Sequence, residues 1–322
     1  MSPLFLLILR QNRFAVKMNK MERTKSGRVN VAKDVFKEAG KNFLMGIPAF
    51  RRWRLKRPRA GAFFTGADEE LERYAFLGLN LLQKYVGTVE GKHVCEIGAG
   101  DYLTSGLAIL AAGAASYTVI DRFPGDYTGA TAKDWYRGIE DNWSRFYPEI
   151  AWAKDLRAAD FPEKYSDRIE LIREPIETAK PGKKYDIVCS FQVGEHISNL
   201  ESFAEINKRL LKPDGAALHR VDFGPHDCWF WYKDPLTFLR FPDNLWHLTG
   251  SNRGTPNRLR HHEFMNAFEK AGLAVEIAKI DYFEETSIDF TKLNKKFRQM
   301  PRESLLVGVV IYKLCNDLNG IN

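Results

Sequence analysis

The chain predicts an α/β fold: a sheet of seven strands, mostly parallel, with helices on both faces and one antiparallel member near its end. Three observations predict it. Apolar strand-like runs alternate with amphipathic helical stretches, which is how parallel strands are joined. The first run ends in closely spaced glycines and then turns helical, in "VCEIGAGDYLTSG", Val94 to Gly106. The last two runs follow one another without that alternation, so one of them opposes its neighbours.

The elements come in this order. "DEELERYAFLGLNLLQKY", 68–85, has helical periodicity, with Leu71, Tyr74, Ala75, Leu77, Leu81, Leu82 and Tyr85 largely on one face. Its acidic residues fall in the first turn, where they suit the helix dipole. "KHVCEIG" (92–98) reads as a buried strand, "LTSGLAILAAGA" (103–114) as a helix closed by glycine, and "SYTVIDRF" (116–123) as the second strand. Residues 124–165 form an aromatic-rich insertion with helical patches. "RIELIRE" (168–174) and "KYDIVCSFQ" (184–192) are strands three and four. "LESFAEINKRLL" (200–211) is an amphipathic helix stopped by "KPDG", and "AALHRVDF" (216–223) is the fifth strand. A second insertion, 224–260, is rich in Trp, Phe and Arg. "HHEFMNAFEKAG" is then helical, and "LAVEIAKI" and "LLVGVVIYKL" are the final strands.

Charge divides the chain. Residues 1–60 hold 16 Lys and Arg against 3 Asp and Glu, a net +13; the remainder holds 32 against 38, a net −6. The expected organisation is a basic N-terminal arm, 1–67, and one domain, 68–322. A basic arm can face RNA or an anionic membrane surface. Leu4–Leu9 is apolar for only six residues, against the ~20 a spanning helix requires. The expected location is cytoplasmic, with peripheral membrane contact open to the arm. Cys95, Cys189, Cys228 and Cys315 form no CxxC pair, so neither a zinc site nor a disulfide framework is expected.

Two ligand templates compete for the glycine loop. A dinucleotide fingerprint, GxGxxG, takes Gly98 and Gly100 but meets Leu103 at its third glycine. An acidic residue followed by GxGxG takes Glu96, Gly98 and Gly100 and meets Tyr102 at its last. Glycine lets the backbone turn tightly and approach a ligand without a Cβ. Glu96 and Asp101 supply carboxylates, which suit a cationic ligand better than a pyrophosphate. Asp121 ends strand two about 20 residues on, where a carboxylate accepts from both ribose hydroxyls.

Further along, "YDIVCSFQVGEHISNL" followed by "LLKPDGAALHRVD" resembles the class I S-adenosylmethionine-dependent methyltransferases. The ordered match runs from about Val94 to Leu314. The resemblance implies a Rossmann-like seven-stranded methyltransferase sheet with the last strand antiparallel, and S-adenosyl-L-methionine as cofactor. Residue by residue it implies a cofactor loop at Glu96, Gly98, Gly100 and Asp101 and a ribose ligand at Asp121. It implies an adenine-side contact at Glu174 and Ile176, and a strand end beneath the methionine at Ser190, Phe191 and Gln192. "GAGDYLTSG", "DRF", "HRVDFGPHD" and "NRLRHHEF" are similar to bacterial methyltransferases, some tied to glycan or secondary-metabolite pathways.

The expected reaction is in-line methyl transfer to a hydroxyl of a small molecule or glycan, with a histidine general base. His226, in "DFGPHD", and His196, in the EH pair, are the candidate bases, with His219 on strand five a third. No [ND]PP[YF] tetrad follows strand four and no Pro-Cys dipeptide occurs, which counts against amide-nitrogen and cytosine-C5 methylation. The aromatics of 224–260, with Arg253, Arg258 and Arg260, are the expected acceptor lid, or else a satellite core. Two alternatives stand: an RNA methyltransferase using the arm, or a non-catalytic binding module on the same fold.

Overall fold

The computed structural model describes residues 31–55, 64–225, 234–252, 256–284 and 288–316. Two compact units divide the chain.

The larger unit comprises Ala49–Phe223, Leu259–Tyr282 and Val307–Asn322. Its strands are β1 (His93–Ile97), β2 (Ser116–Ile120), β3 (Ile169–Ile172), β4 (Tyr185–Phe191), β5 (Leu211–Asp222), β6 (Ala274–Tyr282) and β7 (Val307–Cys315). They form one seven-stranded sheet in the order β3-β2-β1-β4-β5-β7-β6. β1 through β5 pair in parallel, and β7 runs antiparallel to both β5 and β6. The sheet expected from sequence, with its last strand reversed, is therefore the one observed.

Alternate residues of each strand feed two cores, because successive side chains point to opposite faces. Val94, Tyr117, Val119, Ile187, Cys189 and Leu218 join the core on one face. Cys95, Ile97, Ile120, Val188, Ala217 and Val221 join the core on the other.

The first face is covered by the helical run 68–85, by α5 (Thr104–Ala111) and by α6 (Ala130–Phe146). That run is α3 (Asp68–Leu71), a π-helical stretch Glu72–Phe76, and α4 (Leu77–Tyr85). A π stretch leaves its carbonyls off the regular ladder; Thr104 Oγ1 donates to the Tyr74 carbonyl at 2.5 Å. α6 is the 17-residue crossover helix inside the stretch 124–165, and it buries Trp135, Tyr136, Ile139 and Trp143. The second face is covered by α7 (Leu200–Leu210) and α9 (His261–Lys270). α7 begins at Asn199, whose side chain accepts from the Ser202 amide at 3.0 Å.

"KPDG" does more than stop α7. β5 already pairs at Leu211, then the register against β4 slips, and regular pairing resumes at Ala216. At Gly215 a Cβ would stand 2.8 Å from the Tyr185 carbonyl, so the slip brings two backbones together where only glycine fits.

The smaller unit comprises Met1–Pro48, Gly224–Arg258 and Phe283–Leu306. It contains α1 (Val31–Gly46), α8 (Asp243–Gly250), α10 (Lys295–Arg298) and α11 (Arg302–Leu306); α2 (Pro48–Leu55) leads into the larger unit. Leu236, Phe238, Leu239, Trp246, Leu293, Phe297 and Leu305 form its core. Asn42 of α1 ties it to the end of α8, donating to the Leu248 carbonyl at 3.0 Å and accepting from the Asn252 amide at 2.8 Å. Arg258 lies buried with φ +66, its guanidinium over Trp246 and Phe297 and donating to the Phe238 and Phe241 carbonyls. Of the sequence alternatives for 224–260, the described aromatics form a satellite core. Trp229, Phe230, Trp231, Tyr232 and Arg253 lie outside the described residues.

Candidate functional site

Strand order reverses between β1 and β4, since β1 continues toward β2 while β4 continues toward β5. Loops at such a point diverge and leave a crevice at the carboxyl ends of the strands. The segments 98–103 and 192–196 meet there.

Gly98 has φ +75 and Gly100 φ +78. A Cβ on Gly98 would stand 2.6 Å from Val193, so the two loops touch only because the side chain is missing. A Cβ on Gly100 would meet nothing within 4 Å, so that turn of backbone faces open space. The Gly98 amide donates to the Ile120 carbonyl at 2.9 Å and the Gly100 amide to Asp121 Oδ2 at 3.1 Å. Asp121 Oδ1 accepts from the Phe123 amide at 2.6 Å. Asp121 therefore ties the glycine loop after β1 to the turn after β2.

Glu96 is buried on β1, and its Oε2 accepts from the Tyr117 hydroxyl at 2.6 Å. Burial raises its pKa to about 7, against the lowering effect of the Tyr117 hydrogen bond, with Asp121 adding to the rise. A third glycine of the opening stretch, Gly106 on α5, lies over this pair. A Cβ there would stand 2.4 Å from the Tyr117 ring. The close helix–strand approach for which a dinucleotide loop uses its third glycine is thus made by Gly106. Sequence reasoning misses it by testing position 103 alone; the glycine is visible three residues on. Leu103 itself is fully buried in the core. Tyr102, the departure from the GxGxG pattern, is partly buried against that core. Burial, with Asp101 beside it, raises its hydroxyl pKa.

The carboxyl end of β4 carries the second half of the site. Phe191 lies under Gly78 of α4, where a Cβ would stand 2.8 Å from the ring. Gln192 is exposed with φ +62, and its amide donates to the Arg220 carbonyl at 2.8 Å. A non-glycine residue held at positive φ marks a strained turn of the kind found at binding sites. His196 ends the turn Gly194–His196 and is exposed.

Ser190 stands differently. Its hydroxyl is buried and lies 2.8 Å from His219 Nδ1, on the face opposite Glu96 and Phe191. His219 Nε2 lies 2.8 Å from Asn207 Oδ1, and Asn207 Nδ2 donates to the Phe203 carbonyl at 2.9 Å. A carbonyl only accepts, which orients the Asn207 amide; Asn207 Oδ1 then accepts from Nε2–H, and Nδ1 accepts from Ser190. Burial lowers the His219 pKa to about 3, so the ring stays neutral and both nitrogens are engaged. His219 thus lies in a buried hydrogen-bonded chain, Ser190–His219–Asn207. The pleat reverses at each residue, and that turns Ser190 away.

Glu174 is exposed, and Ile176 is buried in the core beneath the strand ends. Asp101 lies in the turn after Gly100, its carbonyl so close to Gly125 that a Cβ there would stand 2.0 Å away. His226 lies outside the described residues.

The residues fit a cationic adenosine-type ligand. Gly98 and Gly100 turn the backbone at positive φ, and Asp121 and Glu96 bring two carboxylates to that loop. The methyltransferase-domain family matches residues 67–277, more than half of the chain. No curated protein sequence matches. Among solved structures, the chain is similar to a methyltransferase in complex with the Haloferax volcanii activator Trm112 (17% identity, 78% of this chain, 94% of that one, TM-score 0.42). It is also similar to an S-adenosylmethionine-dependent methyltransferase from Mesorhizobium loti (12%, 73% and 95%, TM-score 0.42). A third similarity is to the N-methyltransferase NodS from Bradyrhizobium japonicum (13%, 77% and 97%, TM-score 0.38). The assignment rests on the family match together with the sheet order and the loop described above: the chain belongs to the methyltransferase-domain family, with S-adenosyl-L-methionine as its cofactor.

Proposed function

We propose that the protein transfers a methyl group to a hydroxyl of a small molecule or glycan, with the cofactor over the carboxyl ends of β1, β2 and β4. The observation that carries this reading is the joined pair of loops: Asp121 bracing Gly100, and Gly98 packed on Val193. S-adenosyl-L-methionine brings a methyl group already activated by its sulfonium. The chain's own residues position and deprotonate. Asp121 accepts from the ribose hydroxyls, and Glu96, ionised when a cation lies above it, offsets the ligand's charge. Glu174 and Ile176 flank the adenine, and Asp101, Phe191 and Gln192 border the methionine end; Ser190, turned to His219 on the other face, takes no part in holding the cofactor.

A hydroxyl acceptor must lose its proton, and a histidine at a strand end is the group for it. His196 and His226 are the two candidates. Turnover of methyl-labelled cofactor with hydroxylated aromatic and sugar acceptors tests the reading. His196→Ala or His226→Ala, whichever removes the base, lowers kcat by about 10²–10⁴-fold with cofactor affinity unchanged. Full turnover in both variants would exclude a histidine base.

A second reading concerns the basic arm. Phe36 and Phe43 on α1, and Ile47 just after it, are 82%, 73% and 40% exposed. Their spacing, i, i+7, i+11, puts them on one helix face. Lys33, Lys37 and Lys41 run alongside at i, i+4, i+8. An exposed apolar stripe beside lysines is what an anionic bilayer surface takes up. Flotation with anionic vesicles, lost in a Phe36→Ser/Phe43→Ser variant, supports membrane contact. RNA binding that is steeply salt-dependent and vanishes on deletion of residues 1–60 supports the RNA alternative instead.

A further inference from the structure

We propose that Arg220 reads an anionic group on the methyl acceptor, so that the substrate carries a carboxylate or a phosphate close to its reacting atom. This rests on the methyltransferase reading of the site and deepens it.

Strand register places Arg220 at the carboxyl edge of the sheet. Glu96 pairs with Cys189, and Cys189 with Leu218, so these side chains share one face of the sheet. Two residues further toward the carboxyl ends, Phe191 pairs with Arg220 and Arg220 with Ile311 on that same face. Arg220 therefore stands beside Phe191, on the β5 side of the switch point, while Glu96 and Asp121 stand on β1 and at the end of β2. The Gln192 amide clamps the Arg220 carbonyl at 2.8 Å, which fixes the arginine at the strained turn closing β4.

The second observation is the state of the side chain. Arg220 Nη1 is buried and has no hydrogen-bond partner among the described residues. Arg220 as a residue is half-buried. Other buried or half-buried arginines each make a hydrogen bond or ion pair, Arg258 with the Phe238 and Phe241 carbonyls, Arg240 with Asp234 and Arg260 with the Phe223 carbonyl, although Arg240 Nε, like Arg220 Nη1, has no partner among the described residues. A buried guanidinium nitrogen without an acceptor is costly. It is kept where something else supplies the acceptor. The guanidinium fork matches the two oxygens of a carboxylate or phosphate, and the Phe191 ring beside it gives one apolar wall. That combination selects a small, partly planar oxyanion, bound next to the methionine end of the cofactor site.

The test uses the full chain saturated with S-adenosylhomocysteine, titrated by calorimetry with benzoate and with inorganic phosphate, and with benzamide as the neutral isostere. Expected is millimolar binding of at least one anion and none of benzamide. Arg220→Gln weakens that binding by about tenfold or more. Arg220→Lys keeps the charge without the fork and falls between. Affinity for S-adenosylhomocysteine stays within about twofold in both variants, because the adenosine is held by the loops after β1 and β2 and not by β5. Benzoate alone marks a carboxylate acceptor, and phosphate alone a phosphate ester. Wild-type protein that binds neither anion, or an Arg220→Gln variant that binds them equally well, overturns the proposal. Failure to bind S-adenosylhomocysteine would strike the cofactor reading instead, and the same titrations on the free protein then still decide Arg220.

Discussion

The Tyr117 hydroxyl donates to Glu96 Oε2 at 2.6 Å inside the protein, directly beneath the glycine loop. Burial raises the carboxyl pKa from 4.5 to about 7. The folded state therefore holds a proton there that the unfolded chain releases between those values. Stability from this group is fully present below pH 4.5 and is lost as pH rises through about 7. Chemical denaturation between pH 5 and pH 8 should show wild-type stability falling relative to Glu96→Gln. The relative fall is about 2–3 kcal/mol, at ~1.4 kcal/mol for each tenfold difference in proton affinity between the folded and unfolded chain. Parallel curves would mean that Glu96 does not titrate in this range.

Cofactor binding should register the same proton. A cationic ligand favours the ionised carboxylate, so affinity for S-adenosyl-L-methionine rises with pH through about 7 in wild type. In Glu96→Gln the profile is flat. Calorimetry in buffers of different ionisation enthalpy reads the proton release directly.

Gly98→Ala introduces a Cβ 2.6 Å from Val193, at φ +75. The expected cost is about 1–3 kcal/mol of stability, with cofactor binding lost as the two loops are pushed apart. Gly182→Ala is the control: a Cβ there meets nothing within 4 Å, and the melting temperature should not fall.

The Ser190–His219–Asn207 chain predicts a buried-network phenotype without a catalytic one. Asn207→Leu leaves His219 Nε2–H with no acceptor, at a cost of about 1–3 kcal/mol. Acid should destabilise the wild-type fold through the same ring. The His219 pKa is lowered from 6.5 to about 3, so stability present above 6.5 is lost as pH falls toward 3. Turnover per folded molecule should be unaffected; a selective loss of kcat in Asn207→Leu would contradict the structural assignment of His219.

The sheet is legible in the sequence because each strand carries its own apolar run, and the reversal of β7 follows from the family pattern. The glycine loop and Asp121 are legible because backbone turns and strand-end carboxylates have short sequence signatures. What sequence does not show depends on contacts between distant segments. Residues 31–48, 224–258 and 283–306 build a second core, and nothing local in any of them announces the others. Within the stretch 124–165, Ala132, Trp135, Tyr136, Ile139 and Trp143 recur at helical spacing and mark the buried face of α6. The place of Ser190 in a motif points it at the cofactor, yet the alternation of side chains along β4 turns it toward His219. Gly106 escapes a motif search because its role is to admit the Tyr117 ring, a contact that sequence does not display.

The loop at Gly98–Gly100, braced by Asp121, is expected to hold S-adenosyl-L-methionine. Calorimetric titration of wild-type and Asp121→Asn protein with S-adenosyl-L-methionine tests it most directly. Asparagine keeps one acceptor oxygen, for either the Gly100 or the Phe123 amide, and sets a donor NH2 against the other while removing the charge. The expected result is saturable one-to-one binding to wild type, weakened about tenfold or more in Asp121→Asn, in a variant that stays folded with a melting temperature lowered by the loss of one loop hydrogen bond. No heat of binding to wild type, or equal affinity in the variant, would contradict the claim.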